Sequence, residues 1–140
     1  MNASGNRFIW PVRVYYEDTD AVGVVYYANY LKFMERARTE WLRSLGYEQD
    51  RLMERDGIIF AVRSVEVEYH LPARFNDALE VSASLSQKGR ASLTFHQEVR
   101  RSSDAQLLCS GEIRIACLDK ESLRPKPLPK ALALEIPDVD

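Results

Sequence analysis

Glu17, Asp18 and Asp20 crowd together just past a run of alternating apolar residues and just ahead of a long helical pattern. Gly23 turns the chain between the two. The helix then opens through Val24, Val25, Tyr26, Tyr27 and Ala28, none of which is a short polar capping residue. The first N–H groups of a helix lack intrahelical partners, and the helix dipole favours negative charge there. A carboxylate beside such an end could activate water or attack directly, while the free N–H groups polarise an activated carbonyl. Two readings stay open at this point. Either the helix starts later with Asn29 as its cap, or its N–H groups are free for a ligand oxygen. The acids likewise form either a reactive cluster or a solvated turn; if the strand runs through Tyr16, Asp18 and Asp20 point to one side and Thr19 to the other.

Other chemistries find little support. There is no GxSxG elbow and no glycine-rich phosphate loop. Cys109, Cys117, His70 and His96 show no metal-ligand spacing, so no metal and no resident cofactor is expected. A hydrolase built on this chain would use a carboxylate alone.

The elements that must position the acids follow from periodicity. Trp10 to Tyr16 alternates as a first strand, with Trp10, Val12, Val14 and Tyr16 on one face. From about Ala28 to Leu45 the spacing becomes helical. Leu31, Met34, Trp41, Leu42 and Leu45 share an arc with Tyr30 and Ala37, and Lys32, Arg36, Thr39, Glu40 and Arg43 lie opposite. Gly46 is placed to end that helix. Arg38 falls inside the apolar arc with Glu35 at its edge, which predicts an i,i+3 ion pair or a snorkelling arginine; a catalytic role for Glu35 is the sharper alternative. A short helix is expected over 48–56. Four alternating runs then follow, around Ile59–Tyr69, Leu79–Leu85, Leu93–Val99 and Cys109–Cys117, joined by turn chemistry without crossover helices. The expectation is a single α+β domain in which an antiparallel sheet with one apolar face wraps one long helix. Residues 1–9 read as a loose arm, 10–132 as the domain and 133–140 as a tail. The segment carrying Pro125, Pro127 and Pro129 should begin extended.

Composition narrows the setting. The chain has 140 residues and a formal net charge of -2, which speaks against a general nucleic-acid binder. No apolar run approaches the ~20 residues of a membrane span, and the N-terminus has no apolar signal-peptide core. Eight residues of strand separate the two cysteines by about 26 Å, too far for a disulfide within that strand. Reduced core thiols suit a cytoplasmic compartment.

Asp18-Thr19-Asp20-x-x-Gly23-x-Val25-Tyr26-x-x-Asn29-Tyr30, followed by Glu35-Arg36-Ala37-Arg38, resembles the hotdog-fold acyl-CoA thioesterases of the 4-hydroxybenzoyl-CoA thioesterase type. Within that type it is similar to the Tol–Pal-associated acyl-CoA thioesterase subgroup. Val67-x-Tyr69-x-x-Pro72-Ala73-Arg74-x-x-Asp77 and Pro125-Lys126-Pro127-Leu128-Pro129 carry the resemblance further, from about Val12 to Pro129. The resemblance implies a five-stranded antiparallel sheet around the helix, and active sites shared in a homodimer or homotetramer. It implies Asp20 as the catalytic carboxylate, nucleophile or general base, the Tyr27 N–H as the carbonyl donor, and Gly23 as the point of close approach. Lys88, Arg90 and Ser92 would meet the coenzyme A phosphates, and Phe60, Ala61 and Val62 would line the acyl pocket. Two positions depart from the subgroup: Tyr27 replaces its usual histidine, and Val22 replaces a common second glycine.

The expected activity is hydrolysis of an acyl-CoA thioester to a free acid and coenzyme A. Two alternatives accompany it: a thioesterase acting on acyl carrier protein, and a non-catalytic acyl-CoA-binding scaffold in an envelope or lipid-synthesis complex.

Overall fold

The computed structural model describes residues 7–139. In chain order the elements are β1 (Phe8–Arg13), α1 (Asn29–Ser44), α2 (Gln49–Asp56), β2 (Ile58–Tyr69), β3 (Ala78–Lys88), β4 (Ser92–Arg101), β5 (Leu107–Asp119) and α3 (Lys130–Glu135), with a single 3₁₀ turn at Tyr16–Asp18. The strands form one sheet in the order β1-β3-β4-β5-β2, antiparallel at every pairing. The expected hotdog arrangement is therefore observed: α1 lies across the inner face of the sheet, against β1, β3 and β4.

Alternation decides which side chains reach α1. Leu93, Phe95, Gln97 and Val99 of β4 point inward, as do Cys109, Ile113, Ile115 and Cys117 of β5, and all eight are buried. From the helix, Tyr30, Phe33, Met34, Ala37, Trp41 and Leu42 meet them. Trp41 sets its ring edge-on to Phe95, with centroids 5.0 Å apart and planes at 87°. Such a pair contributes about 0.5–1.5 kcal/mol beyond the area it buries. The helical stripe follows the sequence expectation at Tyr30, Met34, Ala37, Trp41 and Leu42 and departs from it at Leu31 and Phe33. Phe33 is buried and Leu31 is 37 % exposed, because the seam follows Tyr30, Phe33, Met34, Ala37 and Trp41 at i, i+3, i+4 spacing.

Three boundaries also shift. The arm expected over residues 1–9 lies outside the described residues as far as residue 6, but Phe8 and Ile9 are paired with Ala83 and Ser82 in β1. At its other end β1 stops at Arg13; Tyr16 leaves the strand for the 3₁₀ turn and stands exposed, not beside Val14 on the inner face. The C-terminal segment begins extended, bridging Leu118 to Pro125. It then forms α3, whose Leu132 is buried, and Ile136, expected in the tail, is buried as well. Pro129 precedes that helix with its fixed φ, so the extended run ends where KALALE can coil.

Among the described residues, no helix is long and apolar enough to cross a membrane. Both cysteines are free and buried. Burial pushes the Cys109 thiol up to about 12 and the Cys117 thiol up to about 11.

Candidate active site

The acidic segment folds as a small hairpin clipped to the start of α1. Asp20 N–H donates to the Val24 carbonyl at 2.9 Å, Tyr26 N–H donates to the Asp18 carbonyl at 2.9 Å, and Thr19 bridges Val25 between them. Gly23 closes the turn at φ +88°, a conformation that favours glycine. The loop from Pro72 to Asp77 holds the hairpin from behind: Val25 N–H donates to the Ala73 carbonyl at 2.8 Å, and Ala73 N–H donates to the Tyr30 hydroxyl at 2.9 Å.

Hydrogen bonding separates the acids that spacing alone left equivalent. Asp18 spends both oxygens on its own framework, Oδ2 accepting from Tyr15 N–H at 2.8 Å and Oδ1 from Asn29 Nδ2 at 3.2 Å. Asp20 is held by one oxygen: Oδ1 accepts from Val22 N–H at 2.9 Å and from Val24 N–H at 3.4 Å. Its Oδ2 meets no donor among the described residues, and the residue is exposed. Asp20 is thus oriented and still able to accept a proton or attack.

The helix start resolves in the same way. Asn29 is the first helical residue rather than the cap, because its amide is turned back to the Asp18 carbonyl and carboxylate. Ala28 occupies the cap position with no side-chain bond to the helix. Asn29, Tyr30 and Leu31 satisfy their N–H groups through tight i→i−3 bonds to Tyr26, Tyr27 and Ala28. The N–H groups of Tyr27 and Ala28 find no acceptor among the described residues. Tyr27 is fixed instead through its carbonyl, which accepts from the Tyr69 hydroxyl at 3.1 Å. Burial raises the Tyr69 phenol, which keeps it a donor at neutral pH.

The expected substrate-binding residues divide. Phe60 and Val62 line a cavity of about 110 Å³ between α1, α2 and the sheet, together with Leu93, Phe95, Trp41 and Arg38. Ala61 does not line it, since alternation along β2 turns it to the other face. Lys88 is already engaged: its Nζ donates to the Ala133 carbonyl at 3.0 Å, the Ile136 carbonyl at 2.9 Å and Asp138 Oδ1 at 3.2 Å. It fastens the end of α3 rather than standing free for a phosphate. Arg90 is exposed and its carbonyl accepts from Leu128 N–H at 3.0 Å; Ser92 opens β4, its carbonyl accepting from Gly89 N–H at 2.8 Å.

One chain does not bring these groups together. Ser92, Ala116 and Ala61 are neighbours across β4, β5 and β2, whereas Tyr69 and the acidic hairpin lie at the opposite end of the sheet. Eight strand residues separate Ala61 from Tyr69, roughly 26 Å.

Gln97 and its contact with Arg38 escaped sequence reasoning. Gln97 is fully buried beneath α1, its Nε2 donating to the Met34 carbonyl at 3.0 Å and the Ser82 carbonyl at 3.1 Å. Its Oε1 accepts from Arg38 Nη1 at 2.9 Å. The expected Glu35–Arg38 ion pair does not form; Glu35 instead accepts from the Thr39 hydroxyl at 3.2 Å. A polar residue at an inward position of β4, between Phe95 and Val99, was the available signal.

An antiparallel sheet on one central helix, with an oriented carboxylate beside an uncapped helix start, defines the hotdog thioesterase class. The chain belongs to the thioesterase-like superfamily, whose family model matches residues 14–136. It is 44 % identical over 128 residues to the acyl-CoA thioester hydrolase YbgC of Escherichia coli, covering 91 % of this chain and 94 % of the relative. It is 42 % identical to the acyl-CoA thioesterase YbgC of Haemophilus influenzae over 125 residues, 89 % of this chain and 90 % of that one. Among solved structures, a probable thioesterase from Bartonella henselae superposes with a TM-score of 0.82 at 32 % identity, covering 88 % and 99 % of the two chains. A mutant of 4-hydroxybenzoyl CoA thioesterase complexed with 4-hydroxybenzoyl CoA shares the fold, with a TM-score of 0.87 at 19 % identity over 95 % of this chain and 100 % of that one.

Proposed function

We propose that this thioesterase hydrolyses acyl-CoA thioesters and that Asp20 carries the reaction. The observation behind this reading is the split of roles within one hairpin: Asp18 is committed by both oxygens, whereas Asp20 is fixed by Oδ1 and keeps Oδ2 unbonded among the described residues. The acyl-CoA donor is supported by the two YbgC relatives. As general base, Asp20 Oδ2 takes a proton from water while the water oxygen bonds to the thioester carbon. As nucleophile, the same oxygen bonds to that carbon and water later cleaves the resulting anhydride. In both routes the carbonyl oxygen gains charge, to which the Tyr27 N–H donates a hydrogen bond, and the C–S bond breaks to release coenzyme A as thiolate; the proton for it comes from water, through Asp20 in the first route and on cleavage of the anhydride in the second.

The two halves of the site complete each other across two copies. Among the described residues β2 pairs only with β5, which leaves its other edge unpaired there, and Val62 and Val65 on it are 52 % and 41 % exposed. Antiparallel pairing of two β2 edges reverses one chain against the other. That sets the Tyr69 end of one chain, with its Tyr27, beside the Phe60–Val62 end of its partner. The homodimer is then the smallest unit with a whole site, and a homotetramer is a pair of such units. Arg90, exposed at the end that carries Phe60, is the residue left to meet the coenzyme A phosphates.

Asp20→Asn tests the assignment. It keeps an Oδ1 acceptor for the loop and removes the base. Turnover should fall by about 10²–10⁴-fold with an unchanged melting profile; near wild-type turnover on every thioester that the parent cleaves would refute it. Asp18→Asn should act chiefly on stability.

A further inference from the structure

We propose that Arg38 is a specificity-determining residue, and that the enzyme is built for acyl groups bearing an oxygen acceptor beyond the thioester rather than plain alkyl chains. This rests on the acyl-CoA reading above and names the class of acyl group.

The cavity beside Phe60 and Val62 is small, about 110 Å³, and its sheet side is apolar, made by Leu93, Phe95 and Ile115. Arg38 enters that wall from α1. A guanidinium carries five N–H donors in a fixed fork. Here one nitrogen donates to Gln97 Oε1 at 2.9 Å, the one side-chain hydrogen bond Arg38 makes among the described residues. No carboxylate among them makes a salt bridge with it; Glu35, which lines the same cavity, acts on Arg38 only through its charge and accepts from the Thr39 hydroxyl. Half-buried cations are ordinarily paired, because leaving donors unmet in a low-dielectric pocket is costly.

Gln97 shows that this placement is constructed. A fully buried amide in an otherwise apolar strand face spends its NH₂ on two backbone carbonyls, 3.0 Å to Met34 of the helix and 3.1 Å to Ser82 of the sheet. Its one remaining function is to present Oε1 to Arg38. The fork is therefore held from one side, with donors left to face the cavity. An oxygen on the acyl group would fill those donors, whereas a methyl end would leave them unmet. Sites that hydrogen-bond a polar group discriminate far more strongly than apolar pockets do.

The test compares coenzyme A thioesters of matched short acyl length ending in methyl, hydroxyl or carboxylate. In the wild type at least one oxygen-bearing acyl group should exceed the methyl one by about tenfold or more in kcat/KM. Arg38→Met should erase that ratio by lowering kcat/KM on the oxygen-bearing substrate toward that on the methyl one. If Arg38→Met does not fold, Arg38→Lys, which keeps one donor for Gln97 and loses the fork, should reduce the ratio at least about threefold. A wild type with no preference, or a preference that survives the substitution, overturns the inference. Calorimetric binding of the matching non-hydrolysable thioethers ranks the same acyl ends without turnover. Failure of hydrolysis on every substrate would thus count against the thioesterase reading alone, and an absent ranking against Arg38.

Discussion

The hydroxyl of Tyr69, at the last position of β2, donates a 3.1 Å hydrogen bond to the carbonyl of Tyr27, at the threshold of α1. A residue of the sheet edge thus aims the peptide plane whose neighbouring N–H is free. The rings reinforce the contact, with Tyr27 and Tyr69 edge-on at 6.1 Å and Tyr69 on Tyr30 at 5.5 Å.

Tyr69→Phe keeps the ring packing and deletes the bond. Loss of one net hydrogen bond, about 0.5–1.5 kcal/mol, should appear as a roughly 3–10-fold fall in kcat with little change in KM. The urea midpoint should move little, because Tyr69 is 47 % exposed. A KM effect at constant kcat would show that Tyr69 touches substrate rather than positioning Tyr27.

Gln97→Met is nearly isosteric and should be costly. It leaves the Ser82 carbonyl and one Arg38 donor without their buried partner. A loss of about 2–3 kcal/mol in unfolding free energy is expected, read from denaturant titration. Gln97→Glu restores an acceptor for Arg38 but sets a carboxylate oxygen against the Met34 or Ser82 carbonyl, so it should not recover the loss.

Lys88→Met should act on the C-terminal segment and not on substrate. Its ammonium gathers two carbonyls at the end of α3, while the partner Asp138 has a side chain 96 % exposed and adds little. Limited proteolysis should cut sooner beyond Pro129, and KM for acyl-CoA should stay within about twofold. Arg90→Gln should give the reverse pattern, a raised KM with intact resistance to protease.

The cysteines give a pH-dependent reading. In the folded chain burial holds Cys109 and Cys117 as thiols up to about 12 and 11. In the unfolded chain they ionise near 8.5. The unfolded state therefore sheds protons first, and the contribution of these burials is complete below about pH 8.5 and lost as the pH climbs through 11 to 12. Iodoacetamide at pH 8 should leave the native protein unlabelled and modify both sites in urea. Unfolding free energy should fall steadily above about pH 9.

Much of this architecture is written in local periodicity. The alternation of β3, β4 and β5 and the helical stripe of α1 are visible because each buries one continuous face. The stripe is misassigned at Leu31 and Phe33 because both are apolar and only docking on the sheet chooses between them. The first strand is overrun at Tyr16 for a comparable reason: alternation continues in the sequence, but the Asp18 carboxylate closes a turn on the Tyr15 N–H. The acidic hairpin is legible as a place where chemistry could occur, and Asp20 could be preferred only through resemblance until hydrogen bonds distinguished it from Asp18. The hold of Lys88 on α3 is not legible, because its partners are backbone carbonyls some 45 residues away, which leave no mark in side-chain chemistry. Gln97 left a mark, a polar residue in an inward slot, without any sign of what it would hold.

Because one amide of Gln97 is bonded to a carbonyl of the helix and to a carbonyl of the sheet, α1 has a single depth of seating and cannot slide by a turn. Arg38 rides on that rod, and Tyr27 stands two residues ahead of its first turn. The helix is thus a fixed gauge for the side chains it carries. A variant that must accept a longer acyl group has no slack to find along α1. It has to find it in β2, where Phe60 and Val62 line the cavity and Val62 is 52 % exposed.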